Sequence, residues 1–230
     1  MRRRGPKRLV SDIAARIPGE IALAAAEVGT SVPADFPVDL IPARAVKKRQ
    51  LEFVAGRIAA REAMEELGRD ATYPGRAPDR RPLWPKGLVG SITHTADYAV
   101  AAAARSSDVV AVGIDLEDQQ QLVDEIGRHI LSDAEREAWN LDKSAQNSSF
   151  VSLFSYKEAI FKCVYPRVDA YIDFLDVELS PGKNGPSARC INPRHPAAIC
   201  VSQVTGVMLS MDGRIFSACW ILETAPLMKQ

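Results

Sequence analysis

The order of secondary-structure signals along the chain predicts an α+β protein. Three observations carry this. Apolar residues recur at helical spacing in two long stretches, residues 43–67 and 145–164. Short strand-like runs cluster after each of them, at 88–117 and 171–222. The strands follow one another directly instead of alternating with helices, which favours hairpins over βαβ units. With 230 residues, 47% of them hydrophobic, the chain can bury a core without disulfide or metal staples.

The elements follow in order. Ser11–Val28 reads as one short helix, and Ser31–Pro42 as a Pro-rich connection. Ala43–Leu67 reads as a long helix, because Val46, Val54, Ile58 and Leu67 fall near a 3.6-residue period and Gly68 supplies a stop. Arg49, Arg57 and Arg61 share one broad face of it. Residues 68–86, rich in Pro, Gly and Arg, form a loop. Strands are expected at Leu88–Thr93, Tyr98–Ala104 and Val109–Glu117. Gln119–His129 and Ser132–Asn140 read as helices, the second opened by a Ser132/Glu135 capping box. A long helix spans Ala145–Val164 and ends near Pro166. Strands close the chain at Tyr171–Leu179, Ala188–Ile191, Ala198–Met208 and Arg214–Leu222. Turns are marked by Pro181-Gly182 and Asp212-Gly213. Each half of the chain then pairs one long helix with a small group of strands.

Charge excludes some functions. Lys+Arg and Asp+Glu both number 29, which disfavours a generic basic nucleic-acid binder. The zero sum hides an asymmetry: residues 42–86 carry a balance of +5 and residues 107–142 a balance of −8. Brought together, two such segments can hold a polyanion beside a divalent cation, although solvated helix faces have the same composition. No apolar run approaches the ~18 residues of a membrane span, and the only one near the N-terminus, Ile21–Ala26, is too short for a signal peptide. The leading MRRRGPKR reads as a solvated tail. Cys163, Cys190, Cys200 and Cys219 form no C-x-x-C and read as reduced thiols of a cytoplasmic protein.

Three short segments bear chemistry. In VGIDLED (112–118), Asp115 and Glu117 alternate on a strand and therefore share a face. Two carboxylates so placed repel unless a proton or cation comes between them, and Mg²⁺ favours carboxylates with phosphate and water. In FSYKEAIFK (154–162), Glu158 and Lys162 stand four apart on a helix, which by itself is an ordinary surface pair. In GSITH (90–94), Thr93 and His94 end a strand of small residues where an anion can approach closely. There is no P-loop, G-x-G-x-x-G or H-E-x-x-H motif.

Taken in series, EFVAGR (52–57), RPLWP (81–85), GSITH, GIDLE (113–117) and FSYKEAIFK resemble the 4′-phosphopantetheinyl transferase superfamily, in particular its enterobactin synthase component D-like subgroup. The resemblance covers residues 43–165, and five motifs in the same order are far more specific than any one of them. Tyr156 stands where that family often has a small residue, and the basic N-terminus lies outside its pattern.

The resemblance implies a pseudo-twofold pair of α+β lobes, each a long helix on a small antiparallel sheet, divided here as 1–112 and 113–230. It implies transfer of the phosphopantetheine arm of coenzyme A to a serine of an apo acyl or peptidyl carrier protein, with release of 3′,5′-ADP. Asp115, Glu117 and Glu158 take the place of the Mg²⁺ ligands, and Glu158, Lys162 and Glu117 that of the catalytic groups. Either Glu158 or Glu117, through water, is the base. Arg49, Arg57, Arg76, Arg80, Thr93, His94 and Lys157 take the place of the coenzyme A-binding residues. The expected partners are carrier domains of nonribosomal peptide or polyketide synthases, siderophore pathways included. Neither nucleic acid nor membrane is expected as a partner, and the protein is expected to be a monomer. Two other classes compete: another Mg²⁺-dependent phosphoryl or nucleotidyl transferase, and a non-enzymatic coenzyme A-binding protein.

Overall fold

A computed structural model describes residues 6–69, 72–119, 129–141, 146–182 and 185–223. Helix α1 (Pro6–Ala14) precedes strand β1 (Ile21–Glu27). The single helix expected over 11–28 is therefore a helix end followed by a strand. Alanine-rich IALAAAE favours a helix locally, but its pairing with β5 (Tyr98–Arg105), from Ile21 opposite Ala104 to Glu27 opposite Tyr98, overrides that preference.

Helix α2 (Lys47–Glu66) starts four residues later than expected, after a turn in which Ala45 N–H donates to the Pro42 carbonyl. It ends at Gly68, whose φ of +67° allows Gly68 N–H to reach Glu65 O and Arg69 N–H to reach Met64 O. A two-residue ladder, β2 (Gly75–Arg76) with β3 (Pro82–Leu83), structures the following loop. Strand β4 (Leu88–His94) then pairs with β5, completing a sheet of order β1-β5-β4.

The second half repeats this plan. Strand β6 (Val109–Asp118) is followed by α3 (Asp133–Ala138) and the long α4 (Gln146–Val168). The Ser132/Glu135 capping box is present, and α4 runs two residues past Pro166. The helix expected at Gln119–His129 lies largely outside the described residues. Strands β7 (Val177–Ser180) and β8 (Ser187–Cys190) form a small hairpin. Only the end of the strand expected at 171–179 is extended, and the front of the one expected at 198–208 is a short helix, α5 (Ala198–Gln203). Strands β9 (Thr205–Met211) and β10 (Arg214–Leu222) close round Asp212-Gly213, both at positive φ, as a two-residue hairpin turn requires. The resulting sheet has the order β6-β10-β9, with the last strand central, as in the first sheet. The expected boundary at residue 112 falls inside β6; the chain passes between sheets at residues 106–108.

Alternation along the strands sorts the core. Val100, Ala102 and Ala104 of β5 meet Val112, Ile114 and Leu116 of β6 and Phe216 of β10, with Leu9 and Ile13 of α1 joining them. On the outer face of the first sheet, Ala99 and Ala101 pack against Ala55 and Ala59 of α2. On the outer face of the second, α4 lies against Ala111 and Cys219 through Ala159 and Cys163. The closest approach is at Gly113, where an added Cβ would stand 2.0 Å from Ala159 O and 2.4 Å from Cys163 N. Glycine there sets the distance between β6 and α4. Gly113→Ala is expected to lower the unfolding free energy by about 1–3 kcal/mol through overpacking, read as a fall in urea midpoint at constant slope.

Candidate active site

The two lobes meet along β4 and β6 without a backbone ladder. The Ile114 and Leu116 N–H groups point to the edge of β6 facing away from β10. They donate to Ser91 Oγ (3.1 Å) and Thr93 Oγ1 (3.2 Å) of β4. Hydroxyl side chains of the first lobe thus satisfy the strand edge of the second. The intervening residues, Asp115 and Glu117, point to the α4 face.

There they meet Glu158 and Lys162, one helical turn apart on α4. Lys162 Nζ donates to Asp115 Oδ1 at 2.6 Å, and Thr93 Oγ1 donates to the same oxygen at 3.2 Å. Burial, followed by the neighbouring Asp115 carboxylate, pushes the Glu117 carboxyl up to about 8. Glu158 is raised as well, by burial and by Asp115, against the pull of Lys162. Burial works against the Lys162 charge, but Asp115 and Glu158 outweigh it and hold the ammonium above its usual range.

Among the described residues no three acidic, histidine or cysteine side chains stand close enough to form a finished metal cage. The donor set nevertheless suits a hard divalent cation. Its members are carboxylate oxygens, and Asp115 Oδ2 is buried with no hydrogen-bond partner. Burial and the Asp115 carboxylate favour a proton on Glu117, a place that a cation could take instead.

The cationic residues expected to meet phosphate divide into three groups. Arg49 Nη1 donates to Glu52 Oε2 (3.0 Å) and to His94 Nε2 (3.2 Å). Since a guanidinium only donates, His94 accepts through Nε2 and is neutral. Burial lowers its pKa, and Arg49 and Lys162 add to the effect against Glu52 and Asp115. Arg57 is buried, stacks 4.3 Å over the Phe53 ring and donates to Gly75 O at 3.1 Å. Burial and the charge of Arg76 lower it to about 10, and its Nε is buried without a partner. Arg76 is exposed on β2 beside it. Arg80, at φ +76°, lines a cleft between the lobes.

Two expected ligand contacts are corrected. Lys157 does not face the site. Its Nζ donates to Ile130 O (2.8 Å), Phe174 O (2.8 Å) and Glu135 Oε2 (2.9 Å), which uses all three ammonium hydrogens. Glu135, 1% exposed, also accepts from Ser132 N–H and Leu179 N–H. Neighbouring helix positions diverge by about 100°, so this anchorage of Lys157 turns Glu158 and Lys162 toward β6. Thr93, buried, spends its hydroxyl on Leu116 N–H and Asp115, and orients that carboxylate. Tyr156 lies in the core, fully buried and donating to Pro186 O at 3.3 Å.

The cleft has a volume of about 910 Å³ and takes residues from both lobes, Trp84, Gly90 and Ile92 on one side and Val112, Lys162 and Tyr165 on the other. Gly90 is required here: an added Cβ would lie 2.3 Å from the Trp84 ring. Arg81 closes one end, reaching Asp79 (3.3 Å) and Asp169 (3.4 Å) and lying 5.8 Å over the Tyr165 ring. A smaller cavity of about 160 Å³ lies beside it, lined by Glu158, Phe161, Tyr171 and Phe174. Sequence reading missed Glu52, Glu135, Arg81 and Trp84 as supports of the site. The capping box pointed to Glu135, but only as a helix cap.

Comparison with known proteins identifies the family. Residues 36–104 match the 4′-phosphopantetheinyl transferase N-terminal domain, and residues 111–219 the 4′-phosphopantetheinyl transferase superfamily. The chain is 30% identical over 203 residues to the 4′-phosphopantetheinyl transferase Npt of Nocardia iowensis, covering 83% of this chain and 91% of that one. It is 38% identical to the 4′-phosphopantetheinyl transferase Svp of Streptomyces mobaraensis, over 64% of this chain and 63% of that one. With enterobactin synthase component D of Salmonella typhimurium it shares 37% identity, over 53% and 51% of the two chains. The chain thus spans less than two thirds of the latter two relatives. Among solved structures, a holo-(acyl-carrier-protein) synthase from Bacillus anthracis in complex with CoA (3′,5′-ADP) aligns with 51% of this chain and 99% of that one, at 20% identity and a TM-score of 0.40.

Lys157 and Lys162, five residues apart, should differ in what they support. Lys157→Met strands Glu135, 1% exposed, and is expected to cost about 3–5 kcal/mol of stability; Lys162→Met strands Asp115, which is buried too, but Asp115 keeps the Thr93 hydroxyl and Lys162 itself is 27% exposed, so its urea midpoint should fall by less. Equal midpoints for the two variants would contradict the division of roles.

Proposed function

Because the chain belongs to the 4′-phosphopantetheinyl transferase superfamily, we propose that it moves the phosphopantetheine arm of coenzyme A onto a serine hydroxyl of an apo carrier protein and releases 3′,5′-ADP. The observation that supports this reading most is the meeting of Asp115, Glu117, Glu158 and Lys162 with His94 and Arg49 at the junction of the lobes. A diphosphate has its charge neutralised from both sides there.

Each residue has a task in this reading. Arg49, Arg57 and Arg76 bind the phosphorylated nucleoside end of coenzyme A, and Arg80 borders its path. The Arg57 guanidinium, partly unpaired and destabilised by Arg76, gains from a phosphate beside it. Once Arg49 turns onto the ligand, His94 Nε2 is free to take up a proton and then donate to a phosphate oxygen. Asp115, Glu117 and Glu158 are the residues that would hold Mg²⁺, which would supply charge neutralisation of the diphosphate and favour departure of its nucleotide half. The serine oxygen attacks the phosphorus bearing the pantetheine arm, and the bond to the nucleotide phosphate breaks. Glu158, directly or through water, or else Glu117 through water takes the serine proton, with an oxygen that the metal leaves free. Lys162, a fixed cation beside Asp115, stabilises or protonates the departing oxygen.

The carriers in this reading are those of nonribosomal peptide and polyketide synthases, siderophore assembly included, in keeping with the enterobactin synthase component D relatives. The four free cysteines suit a reducing, cytoplasmic setting. Among the described residues no helix is long and apolar enough to cross a membrane. The lobes act as one monomeric unit in this scheme, joined at 106–108.

Incubated with coenzyme A and Mg²⁺, the protein is expected to add the mass of one phosphopantetheine arm to an apo carrier, seen by intact-mass spectrometry. Asp115→Ala and Lys162→Ala should each abolish the mass gain while circular dichroism stays native. Wild-type protein that modifies neither peptide-synthetase nor polyketide-synthase carriers would refute the reading.

A further inference from the structure

The seam between the lobes has a further link, at the end of β6 nearest the carboxylates. Arg214 opens β10 directly across from Asp118 and is 3% exposed. Its Nε donates to Asp118 Oδ1 at 3.2 Å, and its Nη2 donates to Asp97 Oδ2 at 2.7 Å. The guanidinium lies 5.0 Å over the Tyr98 ring.

The positions of these partners give the contact its significance. Asp118 ends the strand that carries Asp115 and Glu117, in the second lobe. Asp97 sits in the turn that follows His94, in the first lobe. One rigid fork therefore ties the element bearing the phosphate-side histidine to the element bearing the carboxylates. Besides the Thr93–Asp115 bond, three links join β6 to the first lobe, at Ile114, Leu116 and Asp118, every second residue of the strand. The first two are bonds from backbone amides to neutral hydroxyls. The third is charge-assisted at both ends and the only one of the three beyond Glu117.

We propose that Arg214 is a positioning residue: it fixes the spacing between the His94–Arg49 group and the Asp115–Glu117–Glu158 group, and so controls binding of a ligand that must touch both. It grips Asp118 through Nε and Asp97 through Nη2, and it acts through them. A lysine, with a single nitrogen, cannot span the same two carboxylates with planar geometry. The inference rests on the proposed use of coenzyme A with Mg²⁺, the ligand pair that bridges the two groups. Either half alone offers a simpler probe: 3′,5′-ADP without metal engages the first lobe, and Mg²⁺ alone the second.

The test is calorimetric binding of three probes, 3′,5′-ADP alone, Mg²⁺ alone, and coenzyme A with Mg²⁺, to wild type, Arg214→Met, Arg214→Lys and Asp97→Asn. The expected result is a loss of roughly tenfold or more in affinity for coenzyme A with Mg²⁺ in Arg214→Met and Asp97→Asn, since a misplacement near 1 Å has effects of that order. Arg214→Lys should fall between them and wild type, and the two single-lobe probes should bind all four proteins alike. Unchanged affinity of Arg214→Met for coenzyme A with Mg²⁺ would overturn the proposal. So would a parallel loss for all three probes, which marks general loosening of the fold. Wild-type protein that fails to bind coenzyme A with Mg²⁺ would instead overturn the functional reading on which the proposal rests.

Discussion

Like charge gathered at one strand end is the constraint to which the rest of this structure answers. Asp115 and Glu117 share a face of β6, and α4 brings Glu158 against them. In a partly dehydrated place such a group is unstable without a counter-charge. The protein compensates in two ways. Glu117 keeps its proton up to about 8, and the Lys162 ammonium presses onto Asp115 at 2.6 Å. A divalent cation would relieve the same stress and could in turn hold a diphosphate beside the carboxylates, which is why the proposed chemistry belongs at this point of the fold and not elsewhere in the cleft.

Everything around the cluster serves to hold it together. Gly113 lets α4 lie on β6 at backbone contact distance. Lys157 and Glu135 fix the rotation of α4, with Lys157 facing the core and Glu158 and Lys162 facing β6. Thr93 binds a β6 amide and an Asp115 oxygen with one hydroxyl, so the first lobe orients a carboxylate of the second. The small residues of β5, buried on both faces, allow α2 and β6 to approach from opposite sides.

Much of this was legible in the chain itself. Strands β4, β5, β6 and β10 could be read nearly to the residue, because their apolar runs are bounded by Gly, Pro or charged residues. The Asp212-Gly213 turn and the Ser132 cap were visible for the same local reason. The spacing of Asp115 and Glu117 predicted a common face, and the five-motif series predicted the partners that α4 would supply. What stayed hidden was decided by tertiary contacts. Strand β1 is alanine-rich and reads as helix until β5 is there to pair with it. Residues 198–203 carry β-branched residues yet coil into α5, a segment too short for periodicity to detect. Lys157 looks like a phosphate ligand beside Glu158, and only the carbonyls of Ile130 and Phe174, from distant segments, show that its hydrogens are taken. Arg214 offered no signal, since its partners lie 96 and 117 residues away in sequence.

The central claim is that the carboxylates of β6 and α4 form one cation-binding group whose charge repulsion is held off by a proton on Glu117. Metal that enters such a group must displace that proton. Calorimetric titration with Mg²⁺ at pH 7, in buffers of different ionisation enthalpy, counts the protons released. The account expects net release at pH 7, its disappearance well above pH 8, and its loss in Glu117→Gln. Binding without proton release in the wild type, or release that survives in Glu117→Gln, would contradict it.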